Sequence, residues 1–434
     1  MAFKKITVLI MSALLALIFT GCDSFMKSAD ELLSSPKLEG EMHLVQQALE
    51  ESAGKEITLK YPTQGEYRSA FVMMDLNGDK TDEAVAFYST TEDSAVTMHI
   101  SVIEKNDDKW ESHGDLSLVG NGVESVSFAD LDGNGKLEII VGWYIFGMTE
   151  KQVGVYSYSG SLSSRALEPY TNFSYADLTG DQRDDLIILY LNSTEKVASA
   201  KLISLLDTGV TETETVALDG GATSYGTPIL SKLSSGEPAL YIDAIKGDGM
   251  LTEIIWFSKG ALHSVHGDSE NATTYRDGNT ACRDFDGNGV IDIPVTELLK
   301  STEKMAENDK VYYTNWSEFD GKKLNINSTT FMNYNDGYSL IVPKNLRQKM
   351  LVLRRVESRT RIFYSYDPQK ELVGGELFRL ATISAAEYNA ELYEKNGYIV
   401  LDKTDTVVYA AKVTEANDFK LKNEDITEMF AVIK

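Results

Sequence analysis

Four short segments place oxygen-bearing side chains at one spacing: Asp75-Leu-Asn77-Gly-Asp79-Lys-Thr-Asp82-Glu83, Asp130-Leu-Asp132-Gly-Asn134-Gly-Lys-Leu-Glu138, Asp177-Leu-Thr179-Gly-Asp181-Gln-Arg-Asp184-Asp185 and Asp284-Phe-Asp286-Gly-Asn288-Gly-Val-Ile-Asp292. Oxygen donors fall at positions 1, 3, 5 and 9, with glycine at position 4 and an apolar residue at position 2. Alternating donors in a tight loop converge on one point, which suits a hard cation taking several oxygens at about 2.4 Å. Converging carboxylates with no cation between them would be costly. The plainer alternative is an Asx-rich hairpin turn, which also favours Asp, Asn and Gly. A closing acid at position 9 in every copy favours the metal.

The loops recur. Their starts at 75, 130 and 177 are 55 and 47 residues apart, and the fourth follows the third by 107, about two periods. Midway, Lys232-Leu-Ser234-Ser-Gly-Glu-Pro-Ala-Leu240 keeps the spacing but has lost most of the donors, so it should bind no metal. Each loop is preceded by a short apolar segment (SAFVMM, SVSFA, NFSYA, GTPIL, TACR) and followed by another (AVAFY, IIVGW, LIILY, YIDAI, IPV). These β-branched and aromatic runs have strand length, so each loop should close a hairpin. Further strand-like pieces, such as Thr97–Glu104 and Val153–Tyr158, complete about four strands per unit. That is the signature of a propeller blade. The expected fold is therefore mainly β, a β-propeller of five blades. A sixth could be assembled from Glu56–Leu59 and Val311–Asn325. An EF-hand would need a helix after each loop, and these runs do not supply one.

Over about residues 60–335 the units resemble the FG-GAP/VCBS repeats of integrin-like β-propellers. The resemblance implies calcium on up to four hairpins, held by Asp75, Asn77, Asp79 and Glu83; by Asp130, Asp132, Asn134 and Glu138; by Asp177, Thr179, Asp181 and Asp185; and by Asp284, Asp286, Asn288 and Asp292. Loops one and three depart from the pattern, with Lys80 and Gln182 where the family usually has glycine and Thr179 in place of an acid or amide. Loops 130–138 and 284–292 keep that glycine as Gly135 and Gly289 and fit the pattern best. Such a metal would be structural, because nothing in the sequence marks an open coordination position beside a base.

The N-terminus points outside the cell. Lys4 and Lys5 precede an almost unbroken apolar run, Ile6–Phe19, of signal-peptide length and too short to span a bilayer. It ends at Phe19-Thr-Gly-Cys22, which resembles the bacterial lipobox. Cys22 would then carry lipid and anchor the chain on the outer face of a membrane, with residues 1–21 removed as a signal peptide and 22–40 acting as a polar tether. Cys282 remains alone, without a disulfide partner, and reads as a buried residue. Removing residues 1–21 takes the formal charge from −25 to −27, a balance that argues against nucleic acid and anionic lipid surfaces. Glu41–Ser52 reads as an amphipathic helix opening the domain 41–335, with Met42, Val45, Ala48 and Leu49 on one face.

Residues 336–434 read as a small α+β domain. Strands are expected at Tyr338–Pro343, Lys349–Val356, Arg361–Tyr366, Leu377–Ile383, Gly397–Leu401 and Val407–Val413, with helices at Ser384–Lys395 (serine N-cap, Glu387 at the box position) and Asn423–Phe430. The opening GYSLIVPKNL resembles PsbP-like α/β/α sandwich domains. Lys344, Arg347, Lys349, Arg354, Arg355, Arg359 and Arg361 cluster here, either as a solvated face or as a docking face for an anionic wall polymer or for the acidic propeller.

Catalytic motifs are missing: there is no HExxH, no glycine-rich phosphate loop and no G-x-S-x-G elbow. His263 and His266 have ligand-like spacing but read as surface residues, and Trp143, Trp256 and Trp316 read as core more readily than as sugar platforms. The chain is expected to be no enzyme but a lipid-anchored binding or scaffold protein of the bacterial cell envelope, recognising a protein or a glycan. Two rivals stay open: a carbohydrate-active enzyme built on the propeller, since paired carboxylates need not be near in sequence, and an accessory subunit of an envelope complex.

Overall fold

The computed structural model describes residues 40–433 except 55, 93–94, 108, 145–150, 207–210 and 269–272. The segment read as a signal peptide, Cys22 and nearly all of the segment read as a tether lie outside the described residues. Among the described residues no helix is long and apolar enough to cross a membrane. The chain divides into two compact units, one reaching Val126 and including Tyr158–Ser163, the other comprising Ser127–Ser157 and Ser164–Lys434.

The chain is mainly β and almost wholly antiparallel, and the repeat appears as a series of sheets. In the first, Phe71–Met74, Glu83–Glu92, Ala95–Asn106 and Lys109–Val119 follow one another, with Thr58–Leu59 added on Glu83–Glu92. The second runs Gly122–Ala129, Glu138–Tyr144, Lys151–Tyr158, Leu162–Tyr170, and the third Asn172–Ala176, Asp185–Asn192, Val197–Leu205, Thr211–Ala217. The fourth is built on Ile229–Lys232, Pro238–Lys246, Gly249–Ser258 and Ala261–Ser264. The fifth runs Asp292–Leu298, Tyr312–Phe319, Leu324–Asn333, Tyr338–Ile341 and Phe430–Val432. Loops one and three close directly onto paired ends, Met74 opposite Glu83 and Ala176 opposite Asp185, while Arg283 bridges to Asp292 across the fourth. The degenerate loop closes as a short turn between Lys232 and Pro238. The pieces considered for a sixth unit are divided between existing sheets: Thr58–Leu59 joins the first, and Tyr312–Phe319 with Leu324–Asn333 the fifth.

In the first unit the helix Glu41–Ala53 buries Val45, Ala48 and Leu49 against Phe71, Ala84, Ala86, Tyr88, Ile103 and Trp110. The i, i+3, i+4 spacing of the three makes one apolar stripe, and that stripe is the packed face.

In the second unit a sixth sheet orders Met350–Arg355, Thr360–Asp367, Leu372–Ser384, Val407–Val413 and Ile399–Lys403. Its core continues into the fifth sheet through Tyr313, Phe331, Tyr338, Phe363, Phe378 and Tyr409. The boundary read at 335–336 falls between Leu324–Asn333 and Tyr338–Ile341, which are hydrogen-bonded neighbours in the fifth sheet. The helix expected from Ser384 starts instead at Ala390 and ends at Lys395. Ser384 is held in the ladder opposite Val407, and Asn389 is the N-cap, its side chain accepting from Leu392 N at 3.0 Å. Sheet pairing took the serine, and the next side chain able to cap started the helix. The last helix, Asn423–Met429, buries Ile426 and Met429.

The fourth sheet buries two charges. Arg276, 1% exposed, donates to Asp243 Oδ1 (2.6 Å), Thr252 Oγ1 (3.0 Å) and the carbonyls of Thr274 and Thr280. Glu253, also 1% exposed, accepts the Asp219 amide at 2.6 Å, and burial pushes its pKa from the ordinary 4.5 up to about 7. A carboxyl whose pKa is raised by folding holds its proton more tightly in the folded state, so its contribution to stability falls as pH rises from 4.5 to about 7 and is level above. Glu253→Gln should therefore gain stability on wild type, by about 3 kcal/mol, between pH 4.5 and pH 8. Urea unfolding of both proteins across that range checks this; parallel curves would mean that the carboxyl ionises as freely as in the unfolded chain.

Candidate metal centres

The acids of the four loops first build the loops themselves. At position 1, Asp75 accepts from Gly78 N (2.7 Å) and Lys80 N (2.9 Å), Asp177 from Gly180 N (2.7 Å) and Gln182 N (2.9 Å), and Asp284 from Gly287 N (2.8 Å) and Gly289 N (2.9 Å). At position 5, Asp79, Asn134, Asp181 and Asn288 each accept the amide two residues on, at 2.7 to 3.0 Å. These are Asx turns, so the turn chemistry offered as the plainer alternative is present. Position 6 is left-handed in all four loops, with φ of 74° at Lys80, 80° at Gly135, 71° at Gln182 and 81° at Gly289. That explains the usual glycine there, and a side chain costs loops one and three roughly 1 kcal/mol each.

Turn chemistry does not account for position 9. Glu83, Glu138, Asp185 and Asp292 are all buried, each accepting the amide of the apolar residue at position 2: Leu76 (2.8 Å), Leu131 (2.9 Å), Leu178 (3.1 Å) and Phe285 (3.0 Å). Burial raises all four pKa values, Glu83 to about 7 and Asp292 to about 6, and neighbouring loop carboxylates add to the rise in Glu83, Glu138 and Asp292. A divalent cation would reverse that balance.

Among the described residues, three groups of carboxylates bring oxygens within 4.8 Å of one another: Asp130, Asp132 and Glu138; Asp284, Asp286 and Asp292; and Asp79 and Glu83 with Glu104. Asp130 Oδ1 and Asp292 Oδ1 are buried with no hydrogen-bond partner. Buried anionic oxygens are normally satisfied, so the carboxylates of 130–138 and 284–292 fit a hard cation. The amide oxygens of Asn134 and Asn288 accept from Lys136 N and Val290 N, and Asn288 Nδ2 donates to Asp286 Oδ2 (3.2 Å) and Glu318 Oε1 (2.7 Å). Glu104 escaped the sequence reading because it lies on the next strand, Ala95–Asn106, and no local spacing announces it. It belongs to a regular position. The strand beside the closing acid presents Glu104, Ser157, Ser204 and Glu318 in the four sheets: Glu104 joins Glu83, Ser157 donates to Glu138 (3.0 Å), Ser204 donates to Asp185 (2.5 Å), and Glu318 is paired opposite Asp292.

Loop three is not brought together in this way. Arg183 Nη2 holds Asp181 Oδ2 at 2.5 Å and pulls its pKa down, while Asp185 is filled by Ser204 and by the amides of Leu178 and Thr179. A cation already occupies part of the loop, and it is a guanidinium. Loop two also has an arginine nearby, with Arg165 Nη1 3.8 Å from Asp132 Oδ2. In loop one Asp75 and Asn77 serve the backbone, and Asn77 Nδ2 donates to Glu83 at 2.9 Å.

Other candidates resolve into structure. Trp143, Trp256 and Trp316 are buried, and His263 stacks on Trp256 at 5.4 Å while His266 sits 3.9 Å from Asp219. Cys282 is buried, and its thiol is pushed up to about 12 by burial and the nearby Asp243 carboxylate. In the first sheet Thr90 Oγ1, His99 and Asp115 form a chain (2.9 Å and 3.0 Å) in the order of an acyl-transfer relay. Tyr88 donates to the same carboxylate and stacks on the imidazole at 4.5 Å, and the backbone around Thr90 is paired in the ladder with Ala95–Asn106. The geometry is that of a cross-strand polar network. The seven basic residues do not share one face: Arg354 and Arg355 are consecutive in a strand and point to opposite sides, and Arg359 is paired with Asp336 at 2.9 Å.

No protein-family model matches the chain, and no curated protein matches it. Among solved structures it is similar to the periplasmic gluconolactonase of Pseudomonas aeruginosa, at 12% identity and a TM-score of 0.27 over 75% of this chain and 89% of that one. An exotype rhamnogalacturonan lyase matches at 10% identity and 0.29, over 73% and 83%. An exo-β-1,3-galactanase from Phanerochaete chrysosporium matches at 10% and 0.23, over 76% and 80%. Likenesses at this level assign neither a fold nor an activity to the chain.

Proposed function

We propose that this chain is an extracytoplasmic binding protein of the bacterial envelope, lipid-anchored through Cys22, whose successive sheets are the blades of a calcium-clipped β-propeller. The observation that carries the calcium is the recurrence, at one place in the first, second and fifth sheets, of a buried closing acid under further carboxylates, with Asp130 Oδ1 and Asp292 Oδ1 left unfilled. Asp284, Asp286, Asn288 and Asp292 would hold the ion in the fifth sheet, and Asp130, Asp132, Asn134 and Glu138 in the second. Asp79, Glu83 and Glu104 would form a third, weaker site. The ion supplies positive charge that offsets carboxylate repulsion and ties the two hairpin strands together. The acids fold the loop and cap its amides, so the role is structural, and the protein acts by presenting surfaces to a protein or glycan.

Thermal unfolding of the chain in millimolar calcium and in chelator tests this reading. Each site saturated to 100 times its Kd contributes about 2.7 kcal/mol to the folded state, so the midpoint should rise by several degrees with calcium. Equal midpoints in calcium and chelator would reduce the loops to self-capped turns.

A further inference from the structure

In the second unit a cleft of about 850 Å³, within the size range of small-ligand sites, is set between the fifth and sixth sheets. Arg354 and Arg361 line it. They are directly opposite each other in the ladder, so their side chains leave the same face of the sheet. Like charges placed opposite one another are destabilising, and among the described residues no carboxylate forms an ion pair with either arginine. Neither guanidinium has a hydrogen-bond or ion-pair partner among the described residues, and Arg361 Nε is buried and unsatisfied. Asp336, whose charge acts on Arg361, is already engaged by Arg359 and Asn333. A chain with 66 acidic and 41 basic residues could readily have neutralised these two arginines.

The rest of the lining narrows the ligand. Tyr312 and Tyr334 are 42% and 60% exposed, and both line the cleft. Exposed aromatic faces suit the C–H faces of sugar rings. Asp277 and Asp309 also line it. Carboxylates repel a bare inorganic anion, but they accept hydrogen bonds from hydroxyl groups. A ligand satisfying the whole cleft thus carries one carboxylate for the arginine fork and several hydroxyls for the acids.

We propose that this cleft binds a uronic-acid residue of an acidic glycan, its carboxylate on Arg354 and Arg361. This rests on the reading of the chain as a binding protein and names the ligand class. It is independent of the calcium loops.

Calorimetric titration of the full, calcium-loaded chain with trigalacturonate tests it, with fully methyl-esterified trigalacturonate and inorganic sulfate as parallel probes. Trigalacturonate should bind at least tenfold more tightly than the ester, which keeps the hydroxyls and loses the charge. Sulfate at equal concentration should not displace it. Arg361→Gln should weaken binding at least tenfold, and Arg354→Gln, at an exposed position where folding is not at stake, should do the same. Equal affinity for the ester, displacement by sulfate, unchanged binding in Arg354→Gln, or no binding at millimolar trigalacturonate would each overturn the assignment. A calcium-dependent midpoint that survives any of those results leaves the metal reading standing, so the two failures are separable.

Discussion

Replacing Asp243 with alanine is expected to destabilise the protein by about 3–5 kcal/mol, the usual cost of removing one partner of a buried ion pair. The carboxylate accepts from Arg276 (2.6 Å), Thr252 Oγ1 (2.7 Å) and the amide of Cys282 (2.8 Å). Its loss leaves a guanidinium that is 1% exposed without a counter-charge, and strands a buried amide. The remaining acceptors of Arg276 are carbonyls and a hydroxyl, which satisfy its N–H groups but not its charge. Urea unfolding should show a lower midpoint at an unchanged slope. A double replacement, Asp243→Leu with Arg276→Met, should recover most of the loss, because a well-packed apolar pair is often neutral or better in such a place. A loss below about 1 kcal/mol in Asp243→Ala would mean that water reaches the guanidinium and screens it.

The second large effect concerns calcium. In the double variant Asp132→Ala, Asp286→Ala the calcium-dependent gain in stability should fall by up to about 5 kcal/mol at 100 times the site Kd. The choice of position 3 matters. Glu138 and Asp292 continue to cap the amides of Leu131 and Phe285, so the hairpins keep their buried acceptors. In chelator the variant should sit within about 1 kcal/mol of wild type, because it loses two Asx contacts and also some carboxylate repulsion. Among the single variants, Asp286→Ala should lose more of the calcium effect than Asp132→Ala. Arg165, 3.8 Å from Asp132, already supplies positive charge to loop two, while Glu318 adds an acid beside loop four. The reading fails if the double variant keeps the whole calcium increment.

Much of this site was legible along the chain because its parts are local. Each loop holds its turn, its Asx contacts and its closing acid within nine residues, and the left-handed glycines at Gly135 and Gly289 mark the same geometry. Loop three shows where such reading stops. Its pattern resembles the others, yet Arg183 takes Asp181 and Ser204 takes Asp185, and only the first of these partners lies inside the loop. Glu104 and Glu318 are the converse: acids that no motif includes, delivered by the neighbouring strand. The helix expected from Ser384 failed for a related reason. A good local N-cap lost to a ladder partner more than twenty residues away, Val407.

The sequence by itself determined the mainly β character, the repeat and its strands, the hairpin loops with their acids, and the amphipathic helix that buries Val45, Ala48 and Leu49. These follow from side-chain periodicity and turn stereochemistry, which act over a few residues. Only the tertiary structure decided which acids lie under a second carboxylate, which are neutralised by arginine, and where Arg354 and Arg361 meet without a partner. Electrostatic energy depends on distance and burial in space, and the chain encodes these only through the packing of strands far apart along it.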